Sequence, residues 1–307
     1  MKEHKLSRRH LLSSSLAVVA GVAGADRAKA ATEDPTAGRS LAFEDNFIAL
    51  DWSIWNAGPK ATNWDTGFYG RSAFARKGGE EGFNPYSIVE DPKATDGKAL
   101  QISAKYIGNS MHVPQYYGNN NREYQWISGN LQTARKDGTF TRGWRRGYFE
   151  ARMAFPKHPL TWPAFWLMNA RGIVAGATSI EIDVVEHKGW ETHQYGAYLH
   201  EWGQPGEHHE GTGVTTESDL TQDYHLFGVM IDDSKCVPYF DRKPVIDSRT
   251  NAVANWPIHR SPDLDVDGDV FWPLLTLALR TDVPFPEQLT DEERLPHMRV
   301  DYVRVYT

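Results

Sequence analysis

The stretch "TSIEIDVVEHKGW", from Thr178 to Trp190, sets three carboxylates, Glu181, Asp183 and Glu186, among Ile182, Val184 and Val185. These are β-branched neighbours, which favour an extended chain. On a plain strand side chains alternate, so Glu181 and Asp183 share one face while Glu186 falls on the other, beside Ile182 and Val184. That other face reads as core, where an unpaired carboxylate is costly. A helix scatters steps of two and five around its circumference. One extra residue, a β-bulge, returns Glu186 to the face of the other two. The spacing therefore predicts a bulged strand carrying three acids on one exposed face.

Outward from this stretch, short alternating or β-branched runs recur between turn residues: "LAFEDNF", "ALQISAKY", "GYFEARMAF", "PAFWLMN", "HQYGAYLHEW", "YHLFGVMI", "VPYFDRKPV", "WPLLTLAL" and "MRVDYVRVY". Such a series predicts an all-β sandwich or barrel, and no long stretch keeps a helical period. With 307 residues, 40% hydrophobic, and 11 Trp, 13 Tyr and 13 Phe, the chain can fill one large core. In the last run Asp301, Val303 and Val305 would share one face, and Val300, Tyr302, Arg304 and Tyr306 the other. Apolar bulk on both sides suits a strand inside a sandwich. Residues 107–127, polar, aromatic and glycine-bearing, read as a long loop of the kind that binds ligands.

The first thirty residues stand apart. "MKEHKLSRRH" is basic, the apolar run after it is about 15 residues, short for a membrane span, and "AKA" at Ala28–Ala30 has the form of a cleavage site. Residues 1–30 thus read as a signal peptide, and Arg8-Arg9 gives it the twin-arginine form, an address read by a receptor. Residues 31–40 read as a polar leader and 41–307 as a single domain, exported to the periplasm or the exterior. Without residues 1–30 the chain carries 27 basic against 38 acidic residues, a net of −11. That balance argues against nucleic acid or an anionic membrane surface as partner. The expected form is a monomer. Cys236 is the one cysteine, so no internal disulfide forms.

Two positioned carboxyl groups are what cleavage of a glycosidic bond requires, and sugars also stack their C–H faces on aromatic rings. Trp162 and Trp166 in "TWPAFWLMN" lie just before the acids, and His200 and Trp202 in "YLHEWG" just after. Taken together, "GYFEARMAFPKHPLTWPAFWLMN", "SIEIDVVEHKGW", "YLHEWG", "DYHLFGVM", "YFDRKPV" and "MRVDYVRVYT" resemble glycoside hydrolase family 16, the laminarinase, agarase and carrageenase group, over nearly all of residues 41–307. The acid stretch matches that family's bulged E-x-D-x-x-E form. The resemblance implies a curved β-jelly-roll sandwich of the concanavalin A type, with a cleft across its concave face. It implies a retaining endo-β-glycosidase with Glu181 as nucleophile, Glu186 as general acid/base and Asp183 between them, acting without a cofactor. Two anionic neighbours would make Glu186 hold its proton longest. Trp162 and Trp166 are expected beside the scissile sugar, with His200, Trp190 and Trp202 as further sugar contacts.

The polysaccharide expected first is a laminarin-like β-1,3-glucan. An agar-type galactan or an exopolysaccharide, transglycosylation, and non-catalytic carbohydrate binding are the alternatives. Several residues depart from the family pattern and leave the substrate open: Thr161 before the Trp motif, Met230-Ile231 after "YHLFGV", and Thr276 with Arg280-Thr281 in the penultimate strand. Arg142, Arg145 and Arg146 could meet an anionic polymer, though such clusters are more often solvated. "DLDVDGDVFWPL" begins like a calcium loop with Asp263, Asp265, Asp267 and Gly268, but its twelfth position is Leu274 where a bidentate Glu belongs. The resemblance implies instead a structural calcium at Asp301. "GEHHE", Gly206 to Glu210, could bind a transition metal, though the polarity of a loop is the commoner meaning of such a run.

Overall fold

The computed structural model describes residues 34–57, 68–69, 71–79, 82–113, 122–135, 139–169, 179–202, 207–259, 270–286 and 288–307. Residues 1–30, expected to be a signal peptide, the first three residues of the expected leader and Asp263–Gly268 lie outside them. Strands β1 (Leu41–Asp45), β2 (Asn56–Ala57), β3 (Phe68–Tyr69), β4 (Ser72–Phe74), β5 (Tyr86–Glu90), β6 (Lys98–Ser103) and β7 (Lys105–Val113) come first. Then follow β8 (Arg122–Ser128), β9 (Asn130–Gln132), β10 (Gly147–Ala154), β11 (Thr161–Asn169), β12 (Ser179–Glu186), β13 (Gln194–Trp202) and β14 (His208–Thr215). The remainder are β15 (His225–Ile231), β16 (Lys235–Phe240), β17 (Lys243–Pro244), β18 (Ile246–Asp247), β19 (Ala252–Val253), β20 (Trp256–Pro257), β21 (Phe271–Leu279) and β22 (His297–Tyr306). Among the described residues there is no α-helix.

Two sheets carry the architecture. The first runs β17-β16-β15-β10-β22-β6-β5, with β1 on β22 and β20 on β16; the second runs β14-β13-β12-β11-β21-β9-β2. Alternation explains the core between them. Phe149, Ala151, Met153, Val303 and Val305 from the first sheet join Phe165, Leu167, Ile182, Leu199, Leu275 and Leu277 from the second in one buried cluster. The ten runs picked out in the sequence all become strands. Two other readings change. Residues 107–127 are not one long loop: β7 and β8 reach in from either side and pair antiparallel, with an irregularity between Tyr106 and Met111. His208–Glu210 belong to β14, where they pair with β13, so they are not loop residues.

The last strand also differs from plain alternation. Its register against β10 passes from Tyr302 to Val300, which makes Asp301 the extra residue of a bulge. That bulge turns Val300 to the core with Val303 and Val305, all fully buried, while Asp301 leaves their face. On the outer face of the same sheet Glu150 is fully buried. Arg242 grips it with Nε on Oε2 at 2.9 Å and Nη2 on Oε1 at 3.0 Å, and Tyr148 donates its hydroxyl at 3.1 Å. Removing one member of a buried ion pair strands the other charge, at a cost of about 3–5 kcal/mol. Arg242→Ala should therefore lose about 3 kcal/mol by urea unfolding, the low end of that range because the guanidinium is partly solvated. A loss below about 1 kcal/mol would show the pair to be unimportant.

Candidate active site

The acids are placed by one irregularity in β12. Against β11 the register runs Ala164 to Glu186, Phe165 to Val185, then Trp166 to Asp183, passing over Val184. Against β13 it runs from Asp183 opposite Tyr198 to Glu186 opposite Gly196, three steps on one strand for two on the other. This is the extra residue that the carboxylate spacing requires. Val184 and Val185 are both buried in the core. Two adjacent apolar residues facing inward are what carry Glu186 back to the side of Glu181 and Asp183.

Each acid has a distinct neighbour. Trp202 donates its indole N–H to Glu181 Oε2 at 3.0 Å. His200 Nε2 lies 3.3 Å from Asp183 Oδ2, and Asp183 is nearly buried. Donor atoms of Glu181, Asp183 and His200 all come within 4.8 Å of one another. The rings of His200 and Trp202 stack with centroids 5.2 Å apart. Trp162 donates a hydrogen bond to Glu186. Burial raises the Glu186 carboxyl well above the usual glutamate range, and Asp183 and Glu181 push it further the same way. Loss of hydration is thus a larger cause than the neighbouring charges expected from the sequence.

Trp166 sits half-buried, its Nε1 donating to Thr276 Oγ1 at 2.9 Å, and Thr276 donates in turn to Asn130 Oδ1 at 3.2 Å. It packs on Met168, Trp272 and Leu274, a second apolar cluster. Trp190 has a different neighbour: the Arg280 guanidinium lies 4.0 Å from its ring centroid. Arg280 is also bound to Asp282, its Nε 2.7 Å from Oδ1. His187, next to Glu186 in sequence, is fully buried and stacked on Phe155 at 4.6 Å. Burial pulls its pKa down to about 4, so it is neutral at ordinary pH.

One residue of the site escaped the sequence reading. Tyr198 stands opposite Asp183 on β13, and its ring lies over Gly196 and Gly211, where a Cβ would come within 2.3 Å and 2.2 Å of ring carbons. Its hydroxyl pKa is pushed up to about 12 by burial and then by Glu186 and Asp183. The signal was present: Tyr198, His200 and Trp202 alternate along β13, so all three share the face of the acids.

The expected metal position does not fit. Asp301 Oδ1 accepts the Thr95 amide at 3.0 Å, Oδ2 accepts the Thr95 hydroxyl at 2.7 Å, and Oδ2 is also paired with Arg152. A guanidinium holds the place where calcium would bring its charge. Of the arginine cluster, Arg146 Nε is paired with Asp233 at 2.7 Å and Arg142 lies over Phe43.

A family model for "Glycosyl hydrolases family 16" matches residues 95–265, which include the whole of β12. The chain is 24% identical over 281 residues to the endo-1,3-1,4-beta-glycanase ExsH of Rhizobium meliloti (strain 1021), covering 87% of this chain and 52% of that protein. It is 28% identical over 189 residues to a glucan endo-1,3-beta-glucosidase of Cryptopygus antarcticus, covering 59% of this chain and 67% of the relative. The chain thus spans about half the length of ExsH. Its fold is that of the laminarinase catalytic domain from Thermotoga maritima MSB8, a β-jelly-roll sandwich, with a TM-score of 0.60 at 20% identity over 88% of this chain and 98% of that one.

Proposed function

The chain belongs to glycosyl hydrolase family 16, and on that premise we propose that it is an exported endo-β-glycanase that cuts a laminarin-like β-1,3-glucan with retention of configuration. The observation that carries the reading is the pairing of unlike carboxyls on one face of β12: Glu186 driven towards its neutral form, Glu181 bonded by an indole N–H. Glu186 gives its proton to the glycosidic oxygen while Glu181 attacks the anomeric carbon, and the leaving sugar departs as an alcohol. Once Glu181 is an ester its charge is gone, and Glu186, now ionised, takes a proton from water attacking the same carbon. Asp183, positioned by His200, steadies Glu181, and Trp162 and Trp166 form the platform for the sugar rings.

The substrate reading is supported by the names of two relatives, a glucan endo-1,3-beta-glucosidase and an endo-1,3-1,4-beta-glycanase. Export follows from Arg8-Arg9 in the leader. The test is a panel of laminarin, mixed-linkage β-glucan, agarose and carrageenan, with products sized over time and their anomers read by proton NMR. Laminarin should fall first to mid-sized oligosaccharides released as β-anomers. Initial α-anomers would overturn retention, and cleavage of a galactan with laminarin untouched would overturn the substrate. The same assay on cytoplasmic and exported fractions, with Lys-Lys replacing Arg8-Arg9, reports on export. Activity that still leaves the cell undiminished would overturn the twin-arginine route.

A further inference from the structure

We propose that Glu201, His208 and His259 form a binding site for one divalent transition-metal ion of the zinc class, separate from the acid face and serving to clip the two sheets together. Glu201 and His208 stand directly opposite on β13 and β14 of the second sheet. His259 follows β20, which pairs with β16 of the first sheet. Glu201 points away from the face that carries His200 and Trp202, as strand alternation demands.

The donor set is two imidazole nitrogens and one carboxylate oxygen, which suits zinc and its neighbours and does not suit calcium or magnesium. Glu201 Oε2 lies 3.1 Å from His208 Nδ1 and 2.9 Å from His259 Nδ1, and all three donor atoms fall within 4.8 Å of one another. Ligands about 2.0–2.1 Å from a tetrahedral zinc stand roughly 3.3 Å apart, so small shifts would admit the ion. Glu201 is held for this: Oε1 accepts the His259 backbone amide at 2.6 Å, which leaves Oε2 turned to the two rings.

His208 makes the case stronger. Its Nε2 lies 3.5 Å from Glu210 Oε1, so carboxylates face both ring nitrogens. With a metal on Nδ1, the ring's proton sits on Nε2. A metal on Nδ1 supplies the second positive partner and leaves Nε2–H to Glu210, the carboxylate–histidine–metal arrangement that orients ligating histidines. Arg249 Nη2 bonds Glu210 at 3.1 Å and fixes it in turn.

The test is equilibrium dialysis of the untagged full chain against zinc chloride, with a thermal melt of the same samples and a visible spectrum after cobalt replaces zinc. The wild type should take up one equivalent, gain melting temperature, and show the strong d–d bands of a tetrahedral cobalt site. His259→Ala, at a well-exposed position, should weaken binding by at least about tenfold and lose the thermal gain, and Glu210→Gln should weaken it by roughly tenfold. His259→Asp, which returns an oxygen ligand, should recover part of the affinity. The proposal is overturned if the wild type takes up no zinc, or if His259→Ala binds as tightly as wild type. It is equally overturned if His200→Ala alone removes the ion, which would place it among the acids.

Discussion

Glu181→Ala should fold as the wild type does and hydrolyse no polysaccharide, a loss of about 10⁴-fold or more, the scale on which losing a catalytic nucleophile acts. The side chain is only partly buried and accepts a hydrogen bond from Trp202, so the core is untouched. Burial and Asp183 still push Glu186 towards its neutral form, from which it can assist a good leaving group. Azide, a small anion able to enter the vacated space, should then attack an activated aryl β-glycoside from the side that Glu181 occupied. The product would be a glycosyl azide of inverted configuration, identified by NMR. Normal turnover in Glu181→Ala, or an azide product of retained configuration, would remove Glu181 from its assigned role.

A second large effect should come from changing the length of β12 by one residue in each direction. Deleting Val185 gives E-I-D-V-E, in which plain alternation already puts the three acids on one face. The register supports this, since Val184 could then take the place of Val185 opposite Phe165. Inserting a valine before Glu186 gives E-I-D-V-V-V-E. At about 3.3 Å per residue the outer acids' backbones are then ~20 Å apart, against ~13 Å in the deletion. A retaining pair needs its carboxyls about 5–5.5 Å apart, which glutamates can close only across the shorter span. If the insertion keeps the bulge, the last acid instead faces the core. The deletion should stay folded with measurable, reduced activity, at a stability cost of about 1.5–3 kcal/mol for one buried valine. The insertion should be inactive. Equal hydrolysis by the two variants, assayed with their melting curves, would refute the one-bulge account.

The bulge was legible because charge has an address: three carboxylates at steps of two and three leave no other way to keep Glu186 off the core. The strands were legible for the same reason, each run alternating or wholly apolar. What stayed hidden came from far along the chain. Thr276 and Asn130, which complete the Trp166 hydrogen-bond chain, lie 110 and 146 residues from their partners. Glu201 and His259 are 58 residues apart and meet only because β20 crosses to the first sheet. Asp301 was read by family position, and nothing local announced that Arg152 would arrive from β10 to neutralise it. Residues 107–127 misled by composition: polar and aromatic residues fit a loop, yet Tyr124 and Trp126 are buried in β8.

The place of β22 has a consequence for how the molecule comes into being. This strand lies between β10 and β6 and also carries β1, so residues near 41 pair with residues near 306. The ribosome therefore makes β22, in the middle of the first sheet, after the strands on either side of it. Until residue 306 has left the exit tunnel, β10 and β6 have open edges, and the apolar face awaiting Val300, Val303 and Val305 has no cover. Such long-range closure is slow, and open strand edges invite pairing between chains. Closure of this sheet around β22 is therefore a late step of folding.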